Sequence, residues 1–254
     1  LTANINGVTN LNVSNEGIND LTGIEDFTAL TEFWCAYNQL TTLDVGSNTA
    51  LTDFRCDHNG ITSLDVSSNT ALTYLNCGTN ELTSLDVSNN TNLTYLGCDD
   101  NQLTSLNVTV NTVLTDFRIG WNPLTGLDLS SNTALTRLEV QEAQLTNLDV
   151  SSNTALIHLD ASYNYVLTDI DVSNNTLLEE LNCADNQLTS LDVSNNTDLS
   201  DLRCYSNQLT TLDVSLNIAL LTLYCEGNDL TSLDVSSNTA LGSLSCAVNQ
   251  LTSL

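Results

Sequence analysis

The sequence predicts a solenoid, mainly β, of about eleven repeats, with short parallel strands on both faces and shallow curvature. Three observations carry this. The triplet Leu-Asp-Val returns at Leu43, Leu64, Leu85, Leu148, Leu191, Leu212 and Leu233, with variants starting at Leu106, Leu127 and Ile170. The step is 21 residues throughout, except for one extra residue near Val166. Apolar residues alternate with period 2 inside each repeat, and no stretch carries them at helical spacing over a helical length.

One clean repeat runs from Leu72 to Asn92 and reads LTYLNCGTNELTSLDVSNNTN. Its first half, LxxLxCxxNxL, matches the leucine-rich-repeat signature with Cys at the third apolar position. Alternation around Leu75 and Cys77 predicts a short strand with both side chains inward. The Asn that follows in each repeat (Asn38, Asn59, Asn80, Asn101, Asn122) turns the chain and is placed to stack as a ladder on backbone groups. In the second half Leu64 and Val66 point inward and Asp65 and Ser67 outward, which predicts a second strand plus a turn rather than a helix. A helix is about 10 Å wide, whereas strands stack about 4.8 Å apart. Strands on both sides therefore avoid tight bending, and eleven rungs span on the order of 50 Å.

The 21-residue unit with an inward Cys resembles the repeats of internalin J-like bacterial leucine-rich-repeat proteins. The resemblance covers most of the chain from about Leu30, and it divides the sequence into tandem repeats at 30–254 and an N-terminal cap repeat at 1–29. The stretch from Val8 to Leu30 is looser and resembles the first repeat of internalin-like proteins. This resemblance implies a secreted or cell-surface bacterial protein built for attachment to a protein or glycan on a host or neighbouring cell. Leu1 is not Met and Leu254 falls in mid-repeat, so both ends read as cut and the sequence as a fragment, its last repeat truncated at the C-terminal end.

Composition narrows the partner. Four Lys plus Arg against 31 Asp plus Glu give a formal net charge of -27, with no lysine. Such a surface repels phosphate backbones and anionic lipid, which excludes nucleic acid. No run approaches a membrane span, so no insertion by this segment is expected, and no basic-then-apolar signal segment is present. Nothing in the sequence assigns an oligomeric state.

Three columns invite functional readings, and each has a simpler one. Cys35, Cys56, Cys77, Cys98, Cys183, Cys204, Cys225 and Cys246 share one inward register with Ile119, Val140 and Ala161. A site that accepts Ile, Val or Ala is a packing site; a single file does not converge tetrahedrally on zinc. The outward column of Asp44, Asp65, Asp86, Asp128, Asp149, Asp171, Asp192, Asp213 and Asp234 stacks like charges, each neighbour costing about 1 kcal/mol in water before screening. Bonds to nearby Ser hydroxyls and turn amides offset this more simply than bridging calcium. Thr41, Thr62, Thr83, Thr104, Thr125, Thr146, Thr168, Thr189, Thr210 and Thr231 form a regular array of the kind that ice-binding solenoids present, although Thr also suits strands and turns.

Comparing repeats within the chain locates the candidate site. The outward positions around the inner strand vary, while most other columns do not. Every Arg, both Trp, both His and all Tyr but Tyr165 fall there. The binding candidates are Trp34, Tyr37, Asp53, Arg55, Tyr74, Tyr95, Asp116, Arg118, Trp121, Arg137, His158, Tyr163, Arg203, Tyr205 and Tyr224. Arg, Trp and Tyr dominate binding hot spots because they bury large areas and keep polar handles. Aromatic rings beside Asp and Asn also suit stacking on sugars. Catalysis finds no support: His58 and His158 lie roughly 24 Å apart by strand spacing, and there is no nucleophile motif, phosphate loop, HExxH or cofactor fingerprint. The predicted function is non-enzymatic recognition or adhesion through the inner-strand face, with an ice-binding array or a calcium-stiffened spacer as alternatives.

Overall fold

The computed structural model describes residues 5–252, with the side chain of Asn6 left aside. The outer ends of the predicted cap and repeat segments, at residues 1–4 and 253–254, lie outside the described residues. The chain divides into two units at the Pro123–Leu124 bond. The first unit carries β1 (Asn10–Asn12), β2 (Glu32–Trp34), β3 (Asp53–Arg55), β4 (Tyr74–Asn76), β5 (Tyr95–Gly97) and β6 (Asp116–Arg118). They pair in parallel and in sequence order, so that Leu11, Phe33, Phe54, Leu75, Leu96 and Phe117 align across the sheet. The second unit carries β7 (Arg137–Glu139), β8 (His158–Asp160), β9 (Glu180–Asn182), β10 (Asp201–Arg203), β11 (Thr222–Tyr224) and β12 (Ser243–Ser245), again parallel and in order. Each repeat is one turn of a parallel β-solenoid, about eleven in all, and helix is confined to two short 3-10 turns among the described residues.

Strands of only three residues cannot hold a fold by their ladders alone. The core is the stack of inward columns: Leu72, Leu75, Cys77, Leu82 and Val87 in one repeat are fully buried, and Leu85 nearly so. Phe33 and Phe54 stack inside at 5.6 Å with planes 6° apart. The cysteines are free thiols, buried except for Cys246. Burial pushes the thiols of Cys35, Cys183 and Cys225 up to about 12, so they stay protonated and behave as small hydrophobes.

The predicted asparagine ladder supplies the polar half of the core. Asn80 donates from Nδ2 to the carbonyls of Cys77 at 3.0 Å and Cys56, one turn back, at 3.1 Å. Its Oδ1 accepts from the Ile61 amide at 3.0 Å. Asn207 repeats the pattern in the second unit, with Cys204, Cys183 and Leu188. A second ladder, beyond the one predicted, lines the outer turn. There Asn69 donates to Val45 and Asn48, and Asn196 to Val172 and Asn175, at 2.9–3.0 Å from fully buried side chains.

The outer half of the repeat is extended, with Leu64 and Val66 inward as predicted, but the second strand does not form among the described residues. Most repeats make a short backbone bond there, such as Gly60 N–H to the Leu40 carbonyl at 2.8 Å, though not at Pro123, which has no N–H. The next amide is taken locally: Ser67 N–H donates to Asp65 Oδ1 at 2.9 Å, and the chain then turns at Asn69. Side-chain capping thus outcompetes a ladder at this point. These same bonds account for the stacked Asp column. Hydrogen bonds from the Ser side chain and amide hold Asp65, Asp86, Asp192 and Asp234 below the usual carboxylate range, and repulsion from Asp65 is the smallest influence on Asp86.

Replacing Asn80 by Ala strands buried carbonyls and an amide, so urea unfolding is expected to lose about 3 kcal/mol. Asn89→Ala, at an exposed site beside the ladder, is expected to change stability by less than about 0.5 kcal/mol; equal losses would refute the ladder's role. Titration with a thiol reagent is expected to modify only Cys246 in the native chain and all eight cysteines in denaturant. Native reaction of Cys77 would show that the column opens.

Candidate functional site

The inner strands place their first and third residues outward, and the central residue, Leu or Phe, inward. Just beyond each strand, the residue before the ladder position, which holds Asn except at Ala143, adopts a left-handed backbone. Tyr37, His58, Thr79, Asp100 and Trp121 have φ of 50–58° in the first unit, and Glu142, Tyr163, Asp185 and Ser206 have φ of 51–57° in the second. For non-glycine residues this costs about 1–2 kcal/mol each; Gly227 meets the same requirement at φ 65° without it. The ladder bonds hold the backbone there, and the side chains stand out at the edge of the sheet. Tyr37 is 55% exposed and Trp121 48%. Tyr37 stacks on His58 at 4.0 Å, and His58 Nδ1 lies 3.1 Å from Asp57.

Within the first unit the sequence-selected residues form one continuous stack. The Arg55 guanidinium lies between the Trp34 ring at 4.7 Å and the Tyr74 ring at 4.4 Å. Tyr74 stacks on Tyr95 at 4.0 Å with planes 3° apart, and Arg118 covers Tyr95 at 5.4 Å. Asp53 receives two bonds from Arg55, at 2.9 and 2.7 Å, and one from Trp34 Nε1 at 3.1 Å. Asp116 receives two from Arg118. Tyr74 and Tyr95 therefore turn their ring faces to one another and to arginine, and their edges outward. Burial, ahead of the charge of Tyr74, raises the Tyr95 phenol well above its ordinary range.

The second unit uses the same parts in separate groups. Arg137 pairs with Glu139 at 2.6 Å, and His158 lies 2.6 Å from Glu180. Arg203 is held by Asp201 and approaches the Tyr224 ring at 5.9 Å. The hydroxyls of Tyr163 and Tyr205 meet at 3.1 Å across the intervening repeat. Every arginine is thus paired with a carboxylate two residues away on its own strand. No group of three or more His, Cys, Asp and Glu among the described residues is placed to hold a metal ion. No described helix is long and apolar enough to cross a membrane.

No protein-family model and no curated protein matches the sequence. Solved structures do. The functional domain of InlJ from Listeria monocytogenes, which includes a cysteine ladder, is 38% identical over 98% of this chain, with a TM-score of 0.77. The buried, single-file cysteines described above are such a ladder. The chain has an internalin J-like leucine-rich-repeat fold. It spans 65% of the InlJ structure it matches. A leucine-rich-repeat protein of Leptospira interrogans is 26% identical over 95% of this internalin J-like chain and 67% of its own, with a TM-score of 0.88. InlF of Listeria monocytogenes, at 23% identity over 98% of this chain and 83% of its own with a TM-score of 0.83, shares the fold.

One residue of the site carries no signal of its own chemistry. Gly97 ends β5, and a Cβ there would lie 2.8 Å from both the Tyr95 hydroxyl and Asn76 Oδ1. Its lack of a side chain lets the Tyr95 ring lie across its own strand. Gly97→Ala is expected to disperse the Tyr74–Tyr95 stack, seen as a loss of near-ultraviolet circular dichroism, with the far-ultraviolet spectrum kept. An unchanged near-ultraviolet signal would count against this account.

Proposed function

We propose that this internalin J-like chain is a non-enzymatic recognition or adhesion domain, exposed outside a bacterial cell, that binds a protein or glycan through its inner-strand face. The observation that carries the reading is the concentration of repeat-to-repeat variation on that face, together with the ordering of those variable side chains. The stack from Trp34 through Arg55, Tyr74 and Tyr95 to Arg118 fixes rotamers before any partner arrives. Side chains already ordered lose less entropy on binding. Aromatic and Arg anchors with their polar atoms satisfied have the character of hot spots. The internalin-like neighbours support recognition in general. The Thr column, exposed in each repeat from Thr41 to Thr231, supports ice binding as the alternative.

The test is binding of the purified chain to protein and glycan arrays beside a Trp34→Ala, Tyr74→Ala, Tyr95→Ala, Trp121→Ala variant. At least about tenfold weaker binding by a variant with unchanged far-ultraviolet circular dichroism is expected. Equal binding by both proteins would remove the inner face from the function. No array binding, with ice-growth inhibition lost on placing bulky residues at Thr83 and Thr104, would move the function to the Thr column.

A further inference from the structure

Three times on the inner face the protein builds one arrangement from its own residues: a tyrosine ring, a carboxylate and a guanidinium between them. Tyr74 with Asp53 and Arg55, Tyr95 with Asp116 and Arg118, and Tyr224 with Asp201 and Arg203 are the three cases. The acid neutralises the cation, and the ring faces it, which adds about 0.5–1 kcal/mol at exposed sites. At a fourth place in the second unit the rings and acids are present, and the guanidinium within electrostatic reach of Tyr205, that of Arg203, is engaged by Asp201 and Tyr224 instead.

That place is the cluster around Asp185. Tyr163 and Tyr205, one repeat before and one after, join hydroxyls at 3.1 Å. Tyr165 meets Tyr163 edge-on, at 6.1 Å and 61°, in contrast to the closed parallel stack of Tyr74 and Tyr95. No arginine lies over any of these three rings, and no Arg or His pairs with Asp160 or Asp185, among the described residues. Asp160 accepts from Ser162 and Asn182 instead. Partial burial raises the Asp185 carboxyl above its ordinary range, which a nearby cation would relieve. This is also where the 21-residue period breaks. The extra residue near Val166 adjoins a second left-handed residue of its repeat, Tyr165, which is 55% exposed.

We infer that the cluster of Tyr163, Asp185 and Tyr205 receives a lysine or arginine side chain of a protein partner, completing from outside the arrangement that the protein elsewhere completes itself. The inference rests on the proposed recognition role of the inner face and narrows the partner from protein or glycan to a basic protein segment. Charge complementarity favours the same occupant: the four arginines of the chain are already neutralised by their own strands, and the formal net charge is -27.

The experiment is titration of the purified chain with a fluorescent oligolysine decapeptide at about 0.15 M salt, where diffuse attraction is screened beyond roughly 8 Å. An oligoserine decapeptide and a neutral oligosaccharide serve as comparison ligands. Asp185→Asn removes the central charge, and Asn tolerates the left-handed backbone of that position. Asp192→Asn makes the same charge change on the outer column, where Asn107 already caps its turn in the same way. We expect oligolysine to bind in preference to both comparison ligands. Asp185→Asn should weaken it at least about tenfold, Tyr205→Leu severalfold, and Asp192→Asn less than twofold. Equal losses from Asp185→Asn and Asp192→Asn would overturn the inference, since binding would then reflect net charge alone. So would array partners that bind the wild type and are lost from the Trp34, Tyr74, Tyr95, Trp121 variant yet bind Asp185→Asn unchanged; that result would leave the inner-face reading standing.

Discussion

A buried primary amide that must satisfy both its donors and its acceptor is the constraint on which this solenoid depends. The ladder asparagine can do so only if a carbonyl three residues back, a carbonyl one turn back and an amide one turn back all arrive together. Asn80 finds these in Cys77, Cys56 and Ile61. A period of 21 residues delivers that coincidence where Asn holds the ladder position, Ala143 being the exception, and another length has to be repaired. The extra residue near Val166 shows the repair. Asn186 reaches back 25 residues to the Ala161 carbonyl, and its Oδ1 finds no partner there. The left-handed residue before the ladder position recurs with the same period, at Glu142 before Ala143 as well as before the ladder asparagines. Its cost of about 1–2 kcal/mol is offset by several ladder bonds worth about 1 kcal/mol each.

Charge is managed separately on the two sides of the repeat. On the outer side each Asp of the column is engaged by the residue two on, Ser except at Asp44, where it is the Gly46 amide, a local bond that needs no neighbouring turn. Its stabilisation exceeds the repulsion between adjacent Asp residues, as the lowered carboxyls record. On the inner side the arginines take up carboxylates of their own strands. The outer acids are thus structural and repeated, while the inner ones differ from turn to turn.

The parts of this arrangement legible in the sequence are those set by period and alternation. Ile119, Val140 and Ala161 standing in for Cys marked that column as packing, and all three are fully buried. Alternation of Leu64 and Val66 fixes which way side chains point, not where amides bond; Asp65 claims the Ser67 amide, and the expected outer strand does not form among the described residues. Likewise, register placed the variable residues on one face but not their lateral contacts. Tyr74 occupies the first outward position of its strand and Arg55 the third of the strand before, and only the lean of the side chains brings them together at 4.4 Å. The left-handed column had a faint signal in Gly227 and Asn15, residues that tolerate positive φ, at a register otherwise held by residues as different as Tyr37, Asp100 and Trp121.

Separating what holds the fold from what varies explains how a protein with such short strands can carry a changeable surface. The bonds that set the period lie in buried side chains and backbone, so an outward residue can be exchanged without disturbing the turn beneath it. Exchange alone would give a floppy surface of long side chains, each losing about 1–2 kcal/mol of conformational freedom when fixed by a partner. The cation–π stack and the paired arginines incur that loss during folding, when the core supplies the free energy. What remains at the surface is a set of ring edges and carboxylates already in place, and affinity then depends on how well the partner's own charges meet them.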